Sequence, residues 1–126
     1  DEFAVFQNAG YMGLYGGMTV DDIHRKKNLE VGQKILDYMG STELIANLFR
    51  ISQTEEKLRK DNVNSADTAT AVHYKVGSEV REAIEKIGGT MPEDLPTPEK
   101  SIAQLEKEQL QRLKQQALDG QLMLDE

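Results

Sequence analysis

The chain has no cysteine, only three prolines, no long apolar run and no excess of positive charge. Without cysteine, neither a disulfide framework nor a thiolate metal site can form, which fits a reducing compartment. No apolar stretch approaches the roughly 18 residues that a membrane span requires, and the first residues do not have the layout of a signal peptide. The formal net charge is −7, which argues against a strongly basic nucleic-acid binder. The acidity is uneven: up to Thr90 there are 14 acids and 11 bases, and from Met91 onward 8 acids and 4 bases. The body is close to balanced and the tail carries most of the excess. The 126 residues suit one domain with a tail, divided here as 1–98 and 99–126. Because the chain opens at Asp1 rather than Met, a piece of a longer protein is expected.

What is present reads as helix throughout. The clearest signal is Ser41–Asp61, with Ser41 as N-cap and Glu43 in the first turn, where the positive end of the helix favours an acid. Leu44, Leu48, Ile51 and Leu58 recur on one face and Ile45 with Phe49 widens it, so this face is expected to be buried. Glu55/Arg59 and Glu56/Lys60 are spaced to pair one turn apart, and Asn62 can take the left-handed conformation that ends a helix. Ser65 caps a second long helix to Ile87, whose Val72, Val76, Val80, Ala83, Ile84 and Ile87 give the cleanest periodicity. Gly77 marks close packing against another helix, and Gly88-Gly89 stops it. The predicted fold is all-α: a small helical domain around an antiparallel helix hairpin (about 41–61 and 65–87), with shorter N-terminal helices and a C-terminal tail helix.

Ahead of the hairpin, a short helix over about Asp1–Ala9 is expected to stop at Gly10. A compact turn follows, held to the core by Tyr11, Leu14 and Tyr15. Thr19 and Asp22 form a capping-box-like start for a short helix ending in Arg25-Lys26-Lys27. Leu29–Met39 is a further helical candidate. Met91–Pro98 holds all three prolines and is expected to be extended. From Glu99 the chain is helical again with a narrow leucine face, marginal alone and needing the body or a second chain. A dimerising helix is one reading of it.

Chemistry is harder to find. Gly10, Gly13, Gly16 and Gly17 resemble a phosphate cradle only superficially, since no strand precedes them and no Lys-Ser/Thr follows, so a packed turn is preferred. His24 and His73 lack acids at metal-ligand spacing and read as surface or boundary histidines. No cofactor, metal or catalytic residue is expected, and an enzyme is the least favoured class. The basic runs Arg25-Lys26-Lys27 and Lys57-Leu58-Arg59-Lys60 are the best candidates. Were the short helix to fold back along the distal half of the central one, Arg25, Lys26, Lys27, Lys57, Arg59 and Lys60 would form one partner-binding patch for phosphates or an acidic protein. Local neutralisation by Glu55, Glu56 and Asp61 is the plainer reading.

Several stretches together resemble a known family. They are Phe3-Ala4-Val5-Phe6-Gln7-Asn8, Gly13-Leu14-Tyr15-Gly16-Gly17, Gln33-Lys34-Ile35-Leu36-Asp37, Met39-Gly40-Ser41-Thr42-Glu43-Leu44, Ala46-Asn47-Leu48-Phe49-Arg50, Gln53-Thr54-Glu55-Glu56-Lys57-Leu58, Gly88-Gly89-Thr90-Met91-Pro92-Glu93 and Leu95-Pro96-Thr97-Pro98. Over about Asp1–Leu105 the chain resembles the C-terminal part of the bacterial DNA-damage-inducible protein D family. That resemblance implies a cytoplasmic two-part protein of the SOS response, its N-terminal part similar to the Bro domain of viral and phage DNA-binding proteins. It further implies a non-catalytic interaction module acting on a repair protein such as the RecA recombinase filament. Direct single-stranded DNA binding and a purely structural dimerisation domain are the alternatives. The tail beyond Leu105 departs from the family pattern.

Overall fold

The described residues form five α-helices: α1 (Glu2–Leu14), α2 (Val20–Lys26), α3 (Ser41–Lys60), α4 (Ala66–Ile87) and α5 (Ile102–Leu124), with single 3-10 turns at Ile35–Asp37 and Pro92–Asp94. The computed structural model describes residues 1–124, with side chains through Gly120, and every regular element among them is helical.

Local chemistry explains most of the helix ends. The Thr19 hydroxyl accepts from the Asp22 backbone N–H at 3.1 Å and the Asp22 carboxylate accepts from the Thr19 N–H at 3.0 Å, a reciprocal cap for α2. Ser65 accepts from the Thr68 N–H at the start of α4, and Gly88 closes that helix in the left-handed region at φ +87°. Asn62 takes φ +51°, as its type permits. Several boundaries differ from the sequence expectation, among them a 3-10 turn at Pro92–Asp94 inside the stretch expected to be extended and a start of α5 at Ile102 rather than Glu99. Gly40, not Ser41, caps α3, and it offers no side-chain oxygen. Leu29–Met39 is not a helix, because left-handed residues at Asn28 (φ +56°) and Gly32 (φ +87°) interrupt it and leave one 3-10 turn. Most consequentially, α1 does not stop at Gly10 but runs on to Leu14.

The reason for that extension is tertiary. Helices α1 and α4 run parallel in register: the Phe6 carbonyl accepts from His73 Nδ1 at 2.9 Å, and the Leu14 carbonyl accepts from Arg81 Nη1 at 3.1 Å, both pairs 67 residues apart. Between these points the backbones touch. A Cβ placed on Gly77 would lie 2.7 Å from the Gly10 carbonyl oxygen, and one on Gly13 would lie 2.2 Å from that of Tyr74. Each glycine inside a helix costs about 1 kcal/mol relative to alanine, and the close approach it allows offsets that cost. The expected hairpin partners α3 and α4 do lie side by side, but the tightest packing joins α1 to α4. Tyr11, Leu14, Tyr15, Ile23, Ile35, Met39 and Val80 form the buried core.

Helix α3 corrects the expected burial pattern. Its fully buried residues are Glu43, Asn47, Arg50 and Thr54, whereas Leu44, Ile51 and Leu58 are half-buried. Ile45, Leu48 and Phe49 are exposed by 66%, 50% and 53%. The helix is turned with a polar stripe inward. At the far end, Ile102 packs on the core, while Leu105, Leu110, Leu113 and Leu118 of α5 face solvent.

Candidate interaction surface

The six cations proposed as one patch do not meet. Lys27 is buried, its ammonium donating to Glu43 Oε1 at 3.0 Å and to the carbonyls of Pro92 and Leu95. It therefore ties α2 to the first turn of α3 and to the proline segment, and presents no charge outside. Lys57 lies 14 residues beyond Glu43, about 21 Å further along α3, so the two basic runs sit at opposite ends of it. Arg25 pairs with Asp22, Lys26 approaches Asp94 at 3.8 Å, Lys57 pairs with Asp61 and Arg59 with Glu55. Among the described residues Lys60 is the one member of the six without an ion pair.

Behind α3 runs a continuous chain of buried polar contacts that sequence reasoning missed. From Lys27 it passes to Glu43, which accepts from the Tyr15 hydroxyl, and Asn47 donates to that same hydroxyl at 3.0 Å. Asn47 Oδ1 accepts from Arg50 Nη2 at 3.0 Å, and Arg50 Nη1 donates to His73 Nε2 at 2.8 Å. His73 Nδ1 donates in turn to the Phe6 carbonyl. This pattern assigns the neutral Nδ1–H tautomer. His73 is only 3% exposed, not the surface or boundary residue expected, while His24 is half-buried with Nε2 2.7 Å from the Gln33 carbonyl. Arg50 has no carboxylate of its own: its guanidinium stacks 4.3 Å from the Tyr11 ring centroid and relies on neutral acceptors. Burial lowers the Arg50 pKa and raises that of Tyr15, where the Glu43 carboxylate pushes in the same direction. Burial first, and the adjacent guanidinium second, hold His73 down to about 4. Of these side chains only the Thr54 hydroxyl, at the end of the stripe, is buried without a partner among the described residues. The signal was present in the sequence: Glu43, Asn47, Arg50 and Thr54 recur at helical spacing as regularly as the apolar set.

These contacts set how α3 is rotated. With its polar stripe anchored, the opposite apolar face must point outward, where it forms one wall of a groove against α4. One end, of about 340 Å³, is lined by Ile45, Phe49, Ala83, Ile84 and Ile87, with Leu95 closing it. The groove continues past Phe49 and Val80 to a polar end flanked by Gln53, Glu56, Lys57, Lys60 and Glu79, two cations beside two acids. So the structure brings Lys57 and Lys60 to a common feature, but that feature is an apolar groove and not a basic patch. No helix among the described residues is long and apolar enough to cross a membrane.

An all-helical domain with a buried polar network, anchored by one buried ion pair, and an open apolar groove is the class of protein this geometry defines. Residues 1–105 match the model of the DinD C-terminal domain, and the chain belongs to that family. Among curated proteins it is similar to DNA damage-inducible protein D of Escherichia coli strain K12, 61% identical over 105 residues. The match covers 83% of this chain and 38% of that protein, so the chain spans well under half the length of its relative. No solved structure matches it.

Proposed function

We propose that the chain is a non-catalytic interaction module of a DNA-damage response protein, and that it engages a repair protein through the α3–α4 groove. The family relationship supplies the DNA-damage setting, and the RecA recombinase filament is our candidate for the partner. The observation that carries the reading is the outward face of α3, where Ile45, Leu48 and Phe49 are half or more exposed beside Ile87. Large apolar side chains lining a groove, with a mixed-charge end where Lys60 is unpaired among the described residues, suit an amphipathic helix or apolar anchor with a polar end. Filaments assembled on single-stranded DNA should retain the protein in co-sedimentation. Phe49→Ser should abolish retention, and joint charge reversal at Lys57, Arg59 and Lys60 should weaken it. Retention unaffected by Phe49→Ser removes the groove from the account, and retention unaffected by the reversal removes the cations.

A further inference from the structure

We propose that, between partner encounters, the α3–α4 groove is occupied by α5 of a second copy of this chain, giving a symmetric dimer. Two unpartnered apolar surfaces stand on one molecule. On α5, Leu105, Leu110, Leu113 and Leu118 are each 40% exposed or more, and among the described residues the helix makes no extended contact with another helix of its own chain. On the body, Ile45, Phe49 and Ile87 line an open groove. A solitary amphipathic helix is marginal in water, so a helical α5 needs an apolar surface to lie against.

Length sets the fit, and Lys60, unpaired among the described residues, sets its direction, since Lys57 is held by Asp61 and Glu56 and Glu79 stand at the same end. Ile45 to Lys57 on α3 and Glu106 to Leu118 on α5 are both twelve-residue steps, about 18 Å each. Glu106 lies one turn before Leu110 and two before Leu113, within the α5 stripe. Neither Glu106 nor Lys60 has an ion pair among the described residues. Laid antiparallel to α3, α5 puts Glu106 between Lys57 and Lys60, Leu113 on Phe49 and Leu118 on Ile45. The occupant comes from another copy because Ile102 is packed on its own core and Lys27 clamps the Pro92 and Leu95 carbonyls. Folding α5 back into its own groove would pull Ile102 out; docking it on a neighbour changes nothing at home. The exchange is isologous, so the helix contact is made twice, which lets a one-helix interface approach the roughly 1,200 Å² of a stable pair. The stripe beyond Leu105 lies outside the family match, so the inference concerns this chain in particular.

The cysteine-free sequence makes the test direct. By sedimentation the full chain should be dimeric, and Leu110→Asp with Leu113→Asp, both at exposed positions, should make it monomeric, with any loss of helical content no larger than the 23 residues of α5. Mixing a Phe49→Cys chain with a Leu113→Cys chain under oxidation should give the interchain disulfide, with neither variant alone doing so. A monomer at all concentrations overturns the proposal. So does Leu113→Cys cross-linking to itself as well as to Phe49→Cys, which would mean two α5 helices pair directly. An intrachain disulfide in the doubly substituted monomer also overturns it, since that is closure onto the chain's own groove. The dimer shares only the groove with the filament reading: a monomeric protein leaves filament retention to be judged separately, and failed retention leaves the dimer intact.

Discussion

Lowering the pH from 7 to 5 should weaken this fold through one buried histidine. In the native state His73 Nε2 must remain a lone pair, because Arg50 Nη1 donates to it at 2.8 Å while Nδ1–H is committed to the Phe6 carbonyl. A second ring proton would point at a cation, in a place where water cannot solvate either. Burial and that guanidinium hold its pKa at about 4, against 6.5 for the free side chain. Between these values the unfolded chain binds a proton that the folded chain refuses. The contribution is therefore complete above pH 6.5, shrinks as pH falls, and is gone below about 4. The whole window is worth about 3 kcal/mol, of which about 2 kcal/mol is lost by pH 5. Urea unfolding at pH 7 and pH 5, at constant ionic strength, measures it. His73→Gln, which keeps an acceptor for Arg50 but cannot titrate, should show a much flatter dependence over that interval. Paired carboxylates such as Glu93, whose pKa is lowered, act further down the scale and do not confound it. The reasoning fails if the native His73 ring titrates near 6.5 by NMR, or if both proteins lose equal stability between pH 7 and 5.

Other perturbations probe separate parts of the structure. Gly77→Ala forces a methyl to within 2.7 Å of the Gly10 carbonyl oxygen, so α1 and α4 must part, at a cost of about 1–3 kcal/mol in urea unfolding. Lys27→Met strands the Glu43 carboxylate in the core and should cost about 3–5 kcal/mol, with Lys27→Met/Glu43→Gln recovering much of it because the neutral amide still accepts from Tyr15. Phe49→Ser, at a half-exposed position, should change stability by no more than about 1 kcal/mol, so its loss of filament retention can be read as loss of contact.

What the sequence by itself determined was local. The caps at Thr19, Ser65 and Gly88, the existence of the two long helices and the all-α class follow from interactions within four residues of each position, and these survive into any tertiary context. Ser41, Gly10 and Leu29–Met39 show where local rules yield: a glycine that ends an isolated helix continues one when a second backbone lies against it. The facing of α3 was decided only in three dimensions. Its apolar and polar residues have equally good helical spacing, so periodicity alone cannot say which set is inside. Tyr15, Lys27 and His73 decide it, arriving from three distant segments to satisfy Glu43, Asn47 and Arg50. Once those buried charges and amides have partners, turning α3 over would leave them unpaired in the core, a far larger cost than leaving Phe49 in water. The groove is the outward consequence of that choice, and for that reason no reading of α3 in isolation could have located it.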